Sequence, residues 1–184
     1  MKNFLKIILI LLVIFVLKIK EVYSIENVAI FVGKTSNAIK VKARIIPAKK
    51  FIEEFRAGLG KNVEILIELY RRWSIIPDEF ITGVKIQRSF ISDPIKEEYI
   101  IKNLEGTILK EKRFKSSADA LDWGLKVDSV EFHNTNNFES GEYYIKVTVE
   151  SNIKKLPLLL EHFLFFIPKY ETKIVKESER FILP

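Results

Sequence analysis

The sequence has no cysteine in 184 residues and only two histidines, His133 and His162. Without cysteine there is no disulfide, no thiolate metal ligand and no lipid-modified cysteine at a processing site. Two isolated imidazoles without HExxH spacing cannot build a histidine-rich metal centre. An internal repeat, a low-complexity tract and a linker are also missing. No block of one charge stands out, because Lys and Arg interleave with Asp and Glu. The chain therefore lacks the electrostatic footprint of a nucleic-acid binder, and no nucleic-acid partner is expected.

What is present begins at the N-terminus. Lys2 and Lys6 lead into an unbroken apolar run of 11 residues, Ile7 to Leu17 (IILILLVIFVL). A helix rising ~1.5 Å per residue would carry it roughly 16 Å, well short of the ~30 Å hydrocarbon core of a bilayer. This is the pattern of a signal peptide. Val22 and Ser24 put short side chains at the −3 and −1 positions for a cut between Ser24 and Ile25. Residues 1–24 thus read as a cleavable signal peptide. The alternative is an uncleaved anchor at residues 7–17, with Lys18 and Lys20 snorkelling to the interface. On either reading residues 25–184 form one extracytoplasmic domain, periplasmic or secreted, of roughly 160 residues. Losing Lys2, Lys6, Lys18, Lys20 and Glu21 would about halve the formal charge of +6. An exported domain without disulfides relies on its core, and 48% hydrophobic residues can supply one.

Period-two alternation dominates the remainder. Val28 to Val32 and Ile39 to Ile45 flank the turn formers Gly-Lys-Thr-Ser-Asn, a hairpin pattern. After Pro47, the residues Phe51, Ile52, Phe55 and Leu59 fall on one helical face, with Gly58 and Gly60 as a stop. From Asn62 to Trp73, the residues Val63, Ile65, Ile67, Leu69 and Trp73 alternate with Glu64, Glu68 and Arg72, as in a half-buried strand. Strands over Phe80–Ile91, Ile95–Asn103 and Thr107–Phe114, joined by short turns, make an antiparallel meander. Ser116 is placed to cap a second short helix carrying Ala118, Leu121 and Leu125. Val127–His133 and Tyr143–Val149 follow as strands, and Tyr170–Phe181 as a charged edge strand. Leu156–Pro168 (LPLLLEHFLFFIP) fits neither period and stays open between helix and doubly buried strand. The predicted fold is mainly β, a two-layer antiparallel sandwich with two short helices.

Catalytic patterns fail one by one. Gly33-Lys34-Thr35 has Val28 where a phosphate-binding loop needs glycine, and reads as a turn. His162, in an apolar run, reads as a core or interface histidine, and His133 as a surface one. The pairs Glu53/Glu54 and Glu97/Glu98 point to different faces and form no acid/base dyad. No GxSxG elbow marks a serine nucleophile. No catalytic, metal-binding or cofactor-binding residue is nominated, and no cofactor is expected. Tyr70, Arg71, Arg72 and Trp73 are of types enriched in binding hot spots and become candidate partner-binding residues. Phe163, Phe165 and Phe166, within FLFFI, are candidates for membrane or partner contact if exposed and ordinary core if buried.

Several landmarks occur in order: an apolar N-terminal segment, ELYRRW (Glu68–Trp73), Trp123 after an alanine-containing helix, GEYYIKV (Gly141–Val147) and KLPLLLEHFLFF (Lys155–Phe166). From about Ile45 to Phe181 the chain resembles an exported bacterial family known as domain of unknown function 4390. Leu159 stands where that pattern carries a second proline. The resemblance implies a bacterial source and an envelope location, suggests a context of membrane signalling or envelope functions, and brings no assigned activity. Three readings follow: a non-enzymatic envelope module binding a protein partner, a peripheral lipid-contacting protein using residues 158–167, and, ranked last, an enzyme with a dispersed site.

Overall fold

In a computed structural model, residues 24–35, 37–93, 95–152 and 170–183 are described. The putting-together of these residues follows the alternation. β1 (Ile25–Lys34) and β2 (Ala38–Pro47) form the expected hairpin, with Val32 opposite Val41 and Lys34 opposite Ile39. β2 also pairs with β7 (Lys126–His133), completing a three-stranded antiparallel sheet. The second sheet is built on β3 (Lys61–Arg71) and the meander β4 (Glu79–Asp93), β5 (Glu98–Glu105) and β6 (Ile108–Phe114). β8 (Gly141–Asn152) lies on the other side of β3, and β9 (Tyr170–Glu177) and β10 (Phe181–Leu183) share the far side of β8, giving seven strands. The mainly β, two-sheet antiparallel architecture is therefore as the alternation predicts, and neither sheet closes into a barrel.

The core lies on one face of each sheet. Val63, Ile65, Ile67 and Leu69 of β3 are at most 1% exposed, as are Ile145, Val147 and Val149 of β8. They meet Ile39, Val41, Ala43 and Ile45 of β2 and Val127, Val130 and Phe132 of β7 in one buried cluster. The opposite face of the larger sheet is laced by cross-strand ion pairs such as Lys85 with Glu64 at 2.8 Å and Lys173 with Glu150 at 2.8 Å. It is the solvated face expected of an antiparallel sheet.

Two eight-residue helices cover the part of the large sheet that the small one leaves bare. α1 (Lys49–Arg56) buries Phe51 and Phe55 against Phe90 of β4, with ring centroids 5.3 and 5.8 Å apart. Gly58 follows it at φ 89°, a left-handed geometry that stops a helix and suits glycine. α2 (Ser117–Gly124) starts where the capping pattern places it, with Ser116 Oγ accepting from the amides of Ala118 and Asp119. At the other end, Gly124 rests on the Phe90 ring so closely that a Cβ would sit 2.5 Å from Cε1.

Four expectations need correction. Trp73 is not on the buried face of β3, because the strand ends at Arg71 and Asp78 Oδ1 captures the Trp73 amide. Leu59 lies beyond the end of α1 and is 49% exposed. In α2 it is Ala120, not Ala118, that turns inward beside Leu121. The closing edge strand is two strands, since Ser178 breaks it by donating its amide to Ile145 and accepting the Ile145 amide on its Oγ. Residues 1–23 of the expected signal segment, His162 and residues 156–168 with Phe163, Phe165 and Phe166 lie outside the described residues.

Candidate functional site

β8 runs the length of the sandwich, so its two ends define two poles. Its 12 residues span about 40 Å at ~3.3 Å each. Near its end, Asn152 is opposite Asn62 and Tyr170. Near its start, Tyr143 is opposite Arg71 and Phe181. The four candidate residues Tyr70 to Trp73 all lie at this second pole, but they do different work.

Tyr70 is on the outer face of the sheet, stacked on Tyr144 at 5.6 Å, edge-on to Phe80 at 5.7 Å and under the Lys146 ammonium at 4.7 Å. Arg71 points to the inner side of the sheet's end. It is ion-paired with Glu139, donates to the Ser140 carbonyl at 3.0 Å and lies 4.3 Å over the Trp73 ring. Gly141 leaves it room, since a Cβ there would stand 3.0 Å from Arg71 Nε. Arg72 faces Glu142 at 3.6 Å, a carboxylate that also meets Arg180 at 3.9 Å. Exposed pairs of this kind contribute about 0–1 kcal/mol each.

The arginines therefore support the segment that follows. Asp78 holds residues 73–78 from two sides: Oδ1 accepts the Trp73 amide at 3.2 Å and Oδ2 accepts the Tyr144 hydroxyl at 2.9 Å. Burial first, and then the Asp78 hydrogen bond, raise the Tyr144 phenol well above its ordinary range, so it stays a donor. Glu79 accepts from the Trp73 indole at 3.4 Å. Between these fixed points Ile75 is 95% exposed and Ile76 58%, with Phe80 at 54% beside them. Hydrophobic residues at the apex of a pinned turn have no core role, and with Trp73 they make an apolar patch bordered by charges.

Sequence reasoning picked out Tyr70 to Trp73 and passed over Ile75, Ile76, Asp78, Phe80 and Tyr144. A signal was available, because two isoleucines between Ser74 and Pro77 fall in a turn, where nothing local can bury them. The other concavities offer less. A depression of about 290 Å³ on the outer sheet face is lined by Glu64, Glu68, Lys146, Glu150 and Lys173, all drawn into cross-strand pairs. A larger one of about 430 Å³ lies between β1 and β10, beside Phe31, Lys34 and Phe181. Among the described residues no group of three or more acidic or histidine side chains is placed to hold a metal. His133 is 65% exposed and lies 3.7 Å from Glu131.

The buried residues also include Arg88, which sequence reading did not single out. Its guanidinium donates to Asn103 Oδ1 at 2.9 Å and to the Gly124 and Lys126 carbonyls at 2.7 Å each. Burial lowers it to about 10, so it remains charged at neutral pH. It satisfies the Gly124 carbonyl at the end of α2 and the Lys126 carbonyl at the start of β7, a structural role.

Fold and pole together define a two-sheet β domain that presents an apolar loop. The chain belongs to the family described as Domain of unknown function (DUF4390), whose model matches residues 20–178. No curated protein and no solved structure matches the chain.

Proposed function

We propose that this chain is an exported, non-enzymatic β-sandwich module of the cell envelope that binds a protein partner through the pole carrying Trp73. The observation that supports this most is the fixed loop: Asp78, Glu79 and Arg71 hold Trp73 while Ile75 and Ile76 face outward. A loop already in its bound shape loses little conformational entropy on docking. Aromatic and Arg side chains around an apolar centre are the usual composition of a hot spot. The partner surface that fits is an apolar pocket with a polar rim, on a protein outside the cytoplasm.

The test compares two equally exposed isoleucines, Ile75 and Ile95, both 95% exposed. A photo-crosslinking residue is placed at each in cells, the protein captured at position 75 is identified, and its affinity for purified variants is measured. The double substitution Ile75→Glu with Ile76→Glu is expected to weaken binding at least tenfold, with melting temperature unchanged, while Ile95→Glu leaves affinity intact. Equal affinity for all three proteins would refute the pole as the binding site.

A second reading is lipid contact through residues 158–167, including Phe163, Phe165 and Phe166. Asn152 and Tyr170 are register partners, so the connection that carries this apolar run leaves and returns at the pole opposite Trp73. Liposome flotation with the full chain and with Phe163, Phe165 and Phe166 replaced by Ser checks it; equal flotation of both removes the reading.

A further inference from the structure

We propose that the Ser24–Ile25 bond stays intact and that the chain remains tethered by its N-terminal apolar segment, with the pole at Ser24 facing the bilayer. Ser24 is the residue whose small side chain makes a cut possible, and it is also a fixed part of the fold. It is completely buried. Its amide donates to Thr172 Oγ1 at 2.7 Å, and its carbonyl accepts from the Ala48 amide at 3.0 Å. One residue thereby joins the start of β1, β9 and the junction of β2 with α1. Around it the small residues Ser151 and Thr172, opposite each other across β8 and β9, are 0% and 2% exposed.

A cut after Ser24 would undo this arrangement. The Ala48 amide would lose its acceptor, and Thr172 its donor. A new α-ammonium would form on Ile25, a core residue 1% exposed, where an unpaired cation is strongly disfavoured. Between Leu17 and Ile25 no other residue is as small as Ser24, so no equivalent site lies upstream. Taken from Phe4 to Ile19, with Lys6 and Lys18 snorkelling, the apolar stretch has 16 residues, and as a helix it would reach about 24 Å. A bilayer accommodates a segment of that length by local thinning.

A second observation concerns α1. Its first turn contains no acidic residue and opens with Lys49 and Lys50, directly after the Ala48 that bonds Ser24. Cations are disfavoured at a helix N-terminus. Anionic headgroups would compensate, and Lys49 is 90% exposed to meet them. The residues Lys20–Tyr23 span at most roughly 14 Å, which keeps this pole close to the bilayer. The loop at Trp73 is then held about 40 Å further out by the strands. This inference shares with the proposed function only the export of the domain.

The full chain is expressed in bacteria, the envelope is fractionated and washed with alkaline carbonate, and the protein's intact mass is measured. The expected result is the unprocessed 21.5 kDa chain in the washed membrane, with its domain digested by protease added to spheroplasts. Val22→Lys, which removes the short residue at the −3 position, is expected to leave the product at full length and in the membrane. A soluble extracytoplasmic chain beginning at Ile25, or anywhere after Leu17, overturns the proposal and leaves partner binding standing. So does a shift from short to full-length product in Val22→Lys. Protection from external protease overturns export itself, and with it both readings.

Discussion

The two helices have the same length, eight residues, and are stabilised in opposite ways. α2 is written locally. Ser116 caps its start, Asp119 sits in its first turn, and Arg88 binds the carbonyl of its last residue, Gly124. α1 has no side-chain cap at Ala48 and carries lysines where the helix dipole repels them. Its pairs Lys49–Glu53 and Lys50–Glu54 run from Lys to Glu, the weaker order at this spacing. What holds α1 is Phe51 and Phe55, both 0% exposed, each contributing about 2–3 kcal/mol of burial. A helix can therefore be fixed by its own ends or by what it is pressed against, and substitutions separate the two cases.

Phe55→Ala should have the largest effect, because it removes the α1 anchor and its contacts with Phe90 and Tyr99 at 5.8 and 5.2 Å. A loss of about 3–5 kcal/mol is expected, measured by urea denaturation. Hydrogen exchange should show α1 opening while α2 stays protected. Next comes Arg88→Met, of similar bulk but without donors. It strands the Gly124 and Lys126 carbonyls in the interior and should cost about 2–4 kcal/mol. Here the fast exchange should appear at the end of α2 and the start of β7. If both variants loosened the helices equally, the contrast between them would be lost.

The same contrast explains how much of the molecule could be read from its residues. β3 was legible because Val63, Ile65, Ile67 and Leu69 obey a single period, and α2 because a cap and its helix lie within three residues. Trp73 was misplaced by extending that period two residues too far, where a carboxylate five residues on takes the backbone amide instead. Arg88 could not be read, since its partners are 15 to 38 residues away in sequence. The candidate pole was half legible: Tyr70 to Trp73 stood out by residue type. The Asp78 clamp that turns Ile75 and Ile76 outward depends on Tyr144, a residue 66 positions away.

The smallest expected effect is also the sharpest comparison, because the two caps can be exchanged. Ser116→Ala removes the acceptor for two amides at the start of α2 and should destabilise the protein by about 1 kcal/mol. Ala48→Ser places the same hydroxyl before α1, where the backbone is already extended at φ −71° and ψ 159°. It should stabilise by about 0.5–1 kcal/mol, since the amides it would bind now have no side-chain acceptor. If the two caps act independently, the double variant should keep a stability near that of the parent chain. A neutral Ala48→Ser in chemical denaturation would mean that the start of α1 is already satisfied by its surroundings, and the distinction between a capped and a pressed helix would then rest on Phe51 and Phe55 alone.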